Sequence, residues 1–229
     1  PFLAKEIKNN DLSEEFLTKK DDYNFVQVDS SNIKSAIKQI TDISLLKGLD
    51  ERSVQVLAPM YKGEAGIDAL NSTLQEIYNP PDRKKEEVIY GEYIYREGDK
   101  VLQLVNDLDN NVFNGDIGFI ESINGNKIII NFDGNRVEYD KKDLKQIKHA
   151  YAISIHKSQG SEFTHVLMPI SKNYYKMLYN KLIYTGVSRA KKSLTLVGDA
   201  AAFQRAVGNN YSSGRKTSLK EQITMVYNN

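Results

Sequence analysis

The hydrophobic period of this chain switches from helical to two-residue at about Gly98 and switches back at about Lys148. Inside that window Val101-Leu102-Gln103-Leu104-Val105, Ile117 to Ile123, Lys127 to Phe132 and Arg136-Val137-Glu138-Tyr139 each read as a strand. Asn114-Gly115-Asp116, Asn124-Gly125-Asn126 and Asp133-Gly134-Asn135 separate them, and these are the residue types that tight turns require. Short strands at such spacing predict a small antiparallel barrel of about 50 residues.

The flanks follow a different grammar. Phe25-Val26-Gln27-Val28 is β-prone, and Asp29-Ser30-Ser31-Asn32 supplies N-cap types. Ile33, Ile37 and Ile40 then recur at helical spacing until Gly48, which suits a helix C-terminus. Ser53 to Ala58 is a second strand, stopped by Pro59. Strand, helix and strand joined by a long connection imply a parallel sheet. Gly66 to Tyr78 reads as a helix with Ile67, Leu70, Leu74 and Ile77 on one face, ended by Asn79-Pro80-Pro81. Residues 82–87 form a charged link. Beyond the barrel come a strand at Ala152 to Ile155, a buried strand at His165 to Ile170 and a helix at Lys176 to Ala190. A strand at Leu194 to Val197, a helix at Ala200 to Val207 and a polar stretch from Gly208 to Gly214 follow. The expected organisation is one α/β domain, residues 1–97 and 147–229, interrupted by a barrel at 98–146.

The chain has 229 residues, with Lys plus Arg at 31 and Asp plus Glu at 30, a net charge of +1. That balance excludes a polybasic protein held to nucleic acid by bulk charge, so any such contact must be a local patch. Cysteine is absent, which excludes disulfides, thiolate zinc sites and a Cys nucleophile. His149, His156 and His165 are spaced so that no two share a face, and no metal site is expected. No apolar run approaches the ~18 residues of a bilayer span. With no signal-peptide pattern at Pro1 to Lys5, a cytoplasmic location and no membrane partner are expected. The missing initiator Met predicts a fragment of something longer.

No G-x-x-x-x-G-K-[ST] phosphate loop occurs, and no G-x-G-x-x-G follows a strand. Three clusters still hold chemistry. Lys62 follows a predicted strand end, where ligands of open α/β sheets bind, although a plain turn with an exposed lysine fits the same residues. Ser154 to Phe163 is dense in hydrogen-bond donors and contains Gly160, suited to holding phosphate or ribose, or else a solvated loop. Arg189, after a helix, offers a planar charged fork to a phosphate, or else caps carbonyls or pairs with a carboxylate.

Taken in order, five strings resemble one family. They are Val-Leu-Ala-Pro-Met-Tyr-Lys-Gly at 56–63, Gly-Asp-Lys-Val-Leu-Gln-Leu-Val-Asn at 98–106 and Val-Phe-Asn-Gly-Asp-Ile-Gly at 112–118. Ile-His-Lys-Ser-Gln-Gly-Ser-Glu-Phe at 155–163 and Tyr-Thr-Gly-Val-Ser-Arg-Ala-Lys at 184–191 complete the set. They are similar to the RecD-like group of superfamily 1 DNA helicases, which includes the RecD subunit of exodeoxyribonuclease V, with motifs IV, V and VI among them. The resemblance implies a RecA-like, P-loop NTPase-type second motor domain interrupted by an SH3-like barrel, acting in DNA unwinding, recombination and repair.

It further implies that Arg189 is the arginine finger and that Lys62 helps sense the same γ-phosphate. Gly160 and Glu162 would face the nucleotide, while His156, Lys157, Ser158 and Gln159 would couple it to DNA. Gly186 and Ser188 stand where relatives often have Ala and Thr, both small replacements. ATP and Mg2+ would be bound mainly by an upstream domain with the Walker motifs, and none tightly by this chain alone. The implied partners are single-stranded DNA, travelled 5′ to 3′, that upstream motor domain and RecB- and RecC-type subunits. A non-catalytic DNA-binding or protein-docking adaptor with motor remnants is the competing class, and an upstream Walker lysine would discriminate the two.

Overall fold

The computed structural model describes residues 2–209. In chain order its elements are α1 (Phe2–Asn9), β1 (Tyr23–Gln27), α2 (Ile33–Leu46), β2 (Val54–Ala58), α3 (Ile67–Tyr78), β3 (Glu87–Tyr90) and β4 (Tyr93–Arg96). Then follow β5 (Lys100–Gln103), β6 (Ile117–Asn124), β7 (Lys127–Phe132), β8 (Asn135–Asp140), β9 (Ile147–His149) and β10 (Ala152–Ser154). The last are β11 (Phe163–Ile170), α4 (Asn180–Val187), β12 (Ala190–Gly198) and α5 (Ala200–Gly208).

A five-stranded sheet in the order β1-β12-β11-β2-β10 is parallel at every pairing. Helices cover it because parallel strands need crossovers, and the interior strand β2 is buried at all five positions, as a doubly covered strand must be. Phe16, Phe25 and Phe203 meet near one edge, with ring centroids 5.6–5.8 Å apart. The main core takes in α1, α2, α3, α4 and α5 around that sheet.

The inserted unit is a second five-stranded sheet, β8-β7-β6-β5-β9, antiparallel throughout. It has its own core, in which Ile120, Ile123, Ile128, Ile130, Val137 and Tyr139 alternate with outward polar residues. Val88 and Tyr95 from the β3–β4 hairpin and Ile147 from β9 belong to that core too, so it reaches past 98–146 at both ends.

Several local expectations change. The hairpin β3–β4 was not expected beyond the charged link; its two-residue turn depends on Gly91 at φ 60°. The strand expected at 101–105 starts at Lys100 and ends at Gln103, because Leu104 donates its N–H to Gln146 rather than continuing the β5–β6 pairing. The helix expected over 176–190 is confined to Asn180–Val187, since residues 172–174 form a separate 3-10 turn and Ala190 already pairs with Phe163. Helix α1 carried no expectation at all. Of the polar stretch expected at 208–214, only its first two residues lie within the described part.

Candidate functional site

The parallel register fixes which motif residues share an end of the sheet. Ala58 of β2 pairs with Ser154 of β10, so the chain leaves both strands at the carboxyl edge. There Pro59, Met60 and Tyr61 face Ser154, His156, Lys157 and Met177 across an open cleft of about 430 Å3. The segment after β10 turns sharply. Ile155 donates its N–H to Ala58 O at 3.2 Å, and the buried Ser158 closes the turn with Oγ to Ile155 O at 2.7 Å. Ser158 therefore holds the loop's shape, while His156 and Gln159 are exposed. Gly160 adopts φ 87°, a left-handed conformation that a side chain would strain, and an added Cβ would meet nothing within 4 Å. Lys157 Nζ donates to Asn114 Oδ1, so this loop touches the barrel.

Lys62 projects from the same carboxyl edge and is 84% exposed. Its Nζ lies 3.3 Å from Asp68 Oδ2, in the first turn of α3, and that hydrogen bond raises its pKa.

Arg189 lies at the other end. It precedes β12, and its carbonyl accepts the N–H of Phe163 at 2.9 Å, which places it beside the first residue of β11. Since Val56 pairs with Leu167, the level of Ala58 is reached only after six further residues of β11, about 20 Å of strand. Lys62 and Arg189 are thus not brought together. Ser161 and Arg189 are. Arg189 Nη1 donates to Ser161 O at 3.0 Å, Nε to Thr185 O at 3.1 Å and Nη2 to Ser188 Oγ at 3.0 Å. The side chain is half-buried and makes no carboxylate pair among the described residues. Three of its five N–H groups are used, leaving one on each terminal nitrogen. Glu162 lies alongside but is exposed and pairs with Lys191 at 3.3 Å.

Above Arg189, α4 packs closely on the sheet. A Cβ on Gly186 would lie 2.6 Å from Met168 Sδ, so the glycine permits the close approach. Among the described residues no cluster of His, Asp or Glu is arranged to hold a metal ion, and no helix is long and apolar enough to cross a membrane.

Asp99, Gln75, Asn79 and His149, which the sequence marks for no chemical role, form a buried hydrogen-bonded cluster, and Lys100 is buried beside Asp99 in the chain. Asp99 is 0% exposed and accepts from five donors. Gln75 Nε2 (2.7 Å), Arg96 N (2.8 Å) and His149 Nε2 (3.1 Å) reach Oδ2, while Asn79 Nδ2 (2.7 Å) and Tyr151 OH (2.9 Å) reach Oδ1. Burial pushes the Asp99 pKa up, but the hydrogen bond and charge of His149 and the remaining donors leave it below the ordinary value. Lys100, fully buried, donates to Glu51 O at 2.6 Å and Val54 O at 3.4 Å, and burial lowers its pKa to about 7. A signal was available: Asn71, Gln75 and Asn79 recur every four residues along α3, an amide stripe on a helix that otherwise buries leucine and isoleucine.

Comparison with known proteins agrees with this architecture. Residues 70–132 match the SH3 domain of ATP-dependent RecD-like DNA helicases, and residues 149–197 match the UvrD-like helicase C-terminal domain. The chain is 37% identical over 171 residues to the ATP-dependent RecD2 DNA helicase of Deinococcus radiodurans, covering 75% of this chain and 23% of that protein. It is 34% identical over 164 residues to the RecBCD enzyme subunit RecD of Buchnera aphidicola, covering 69% of this chain and 27% of the relative. It therefore spans about a quarter of the length of these relatives. A structure of two coordinating Pif1 helicases at forked duplex DNA shares the fold, with a TM-score of 0.54 at 15% identity over 99% of this chain and 51% of that one. With a RecA-like parallel sheet, an inserted SH3-like barrel and motif strings in family order, the chain belongs to the RecD-like helicases of superfamily 1.

Proposed function

We propose that this chain supplies the second motor domain and inserted barrel of an ATP-dependent, 5′-to-3′ DNA helicase, with Arg189 as its arginine finger. In this reading the barrel at 98–146, widened by the β3–β4 hairpin and β9, interrupts a motor part drawn from the residues on either side. The observation that carries the reading is the state of the Arg189 guanidinium. It is docked on the carbonyl of Ser161 in the motif V loop, half-buried, with no carboxylate among the described residues to neutralise it and two N–H groups unspent among them. A planar fork held this way is pre-oriented for a phosphate.

ATP, held with Mg2+ by an upstream Walker-bearing domain, supplies the γ-phosphate whose developing charge such a fork stabilises. Arg189 binds that charge across the domain cleft, Ser161 and Thr185 fix its direction, and Gly160 and Glu162 border the same edge. At the opposite edge His156, Lys157 and Gln159 hold a single DNA strand, with Ser158 shaping their loop and Lys62 beside them. The segment 155–162 joins the two edges, so closure at one is felt as altered grip at the other. RecB- and RecC-type subunits are candidate partners, since one relative is a RecBCD subunit.

A structural reading competes, because two of the three Arg189 bonds cap the end of α4. The test separates them. In a polypeptide that includes the Walker-bearing domain, Arg189→Ala slows DNA-stimulated ATP turnover by roughly 10³ or more at unchanged DNA affinity. Arg189→Lys rescues little, because a point charge does not reproduce the fork. Turnover within a few-fold of the parent makes Arg189 a helix cap and nothing more.

A further inference from the structure

We infer that Asp99 is the positioning residue that locks the barrel onto the α/β domain, so that the barrel and the helix following Lys62 move as one body. An inserted domain is free to swing about the places where the chain enters and leaves it. Here the hairpin that shares the barrel core hands over to the barrel sheet between Arg96 and Lys100, and the chain leaves between His149 and Ala152. Both crossings are tied to the same carboxylate: the Arg96 N–H on the way in, His149 Nε2 and Tyr151 OH on the way out.

The α/β domain grips that carboxylate as well. Gln75 of α3 and Asn79, which caps its C-terminus, donate to its two oxygens, and one turn before Gln75 Asn71 bonds both the N–H and the carbonyl of Ala152 at 2.8 Å. Tyr151 stacks on Tyr78 of the same helix, 5.8 Å between centroids and 8° between planes. Helix α3 begins directly after the Lys62 loop, where Ile67 and Asp68 donate to Met60 O and Tyr61 O. A continuous set of bonds therefore runs from the motif IV loop through α3 into the root of the barrel.

The chemistry requires an acceptor-only group at position 99. Gln75, Arg96 N, Asn79 and Tyr151 donate to it, and His149 does so in the tautomer that carries hydrogen on Nε2, while a carboxylate offers acceptors alone on both oxygens. Asparagine replaces one oxygen with a donor, so either orientation turns an NH2 toward at least two donors. The joint is then lost while both hydrophobic cores remain.

The absence of cysteine makes the test direct and independent of the helicase reading, since its readout is a distance. Spin labels on Lys34→Cys in α2 and Asn126→Cys in the β6–β7 turn report barrel position by pulsed electron resonance. The parent gives one narrow distance distribution. Asp99→Asn at least doubles its width while the circular dichroism of the folded chain is kept. Tyr139→Phe, which breaks a buried bond to Gln103 at 3.0 Å inside the barrel, lowers the melting temperature without broadening. If Asp99→Asn does not fold, Asn79→Ala removes one α3 donor and gives intermediate broadening. A folded Asp99→Asn or Asn79→Ala as narrow as the parent overturns the inference, and so does equal broadening in Tyr139→Phe.

Discussion

Lys100→Met gives a pH-dependent change in stability whose sign follows from burial. The Lys100 amine is fully buried, faced by Glu51 and Asp50, which raise its pKa, and by Arg52, which lowers it. Desolvation outweighs the carboxylates, and the folded pKa falls to about 7 from 10.5. From pH 7 upward the unfolded chain binds the proton more readily than the folded one, so unfolding free energy rises with pH. For one proton and these two pKa values, the rise between pH 7 and pH 9 is about 2 kcal/mol. Below pH 7 both states are protonated and the folded state bears the full cost of a buried charge. Methionine keeps the unbranched stem without the charge, although it leaves the Glu51 and Val54 carbonyls without their donor. The stability difference, parent minus variant, should therefore grow by about 2 kcal/mol across that window. Urea unfolding at pH 7, 8 and 9 measures it, with equal m-values as the check on a two-state comparison. Groups titrating elsewhere in the chain cancel in the difference. Parallel pH profiles for parent and variant would refute the reasoning.

Two further outcomes follow from local geometry and surface charge. Gly198 has φ 143°, and a Cβ there would lie 1.9 Å from Ile170 O, so Gly198→Ala must displace backbone. Thermal unfolding should show a loss of at least ~2 kcal/mol, against about 1 kcal/mol for Gly125→Ala, which is strained only by φ 61° with open space around it. Equal losses would show that the contact with β11 is unimportant. Single-stranded DNA binding should weaken with salt at a slope of about −0.7 per phosphate contact, and Lys157→Ala should reduce that slope by about one contact. An unchanged slope in Lys157→Ala removes the carboxyl-edge loop from the DNA path.

The broad plan was legible because period is a property of contiguous residues. Ile33, Ile37 and Ile40 declare a helix by themselves, and Ile128, Ile130 and Phe132 declare a strand, since each depends only on which side of the chain meets a core. What escaped notice depends on residues far apart in sequence. The hairpin at Glu87 to Arg96 buries Val88 and Tyr95 against a barrel that starts later in the chain, so its local charge read as a linker. Lys176 to Ala190 carries no local stop signal, yet α4 occupies only Asn180–Val187 of it. Its C-terminus is set by β12, whose first residue pairs with Phe163. The Asp99 joint was the least visible, because its donors come from positions 75, 79, 96, 149 and 151 and no window of sequence contains them together.

The motif residues show the same limit from the other side. Their order along the chain identified the family, but order alone placed Lys62 and Arg189 at one phosphate. Register separates them: residues that follow parallel strands collect at the carboxyl edge, and a residue that precedes a strand belongs to the amino edge. About 20 Å of strand lies between those levels, so the two side chains start from opposite edges of the sheet. Arg189 is a planar fork aimed by three hydrogen bonds at the amino edge. Lys62, paired with Asp68 and next to Tyr61 in the edge that also holds Lys157, has the surroundings of a mobile surface cation. The loop 155–162 runs from the carboxyl end of β10 to the amino end of β11, and so from one edge to the other. Its eight residues take their shape from the buried hydroxyl of Ser158 and the left-handed Gly160.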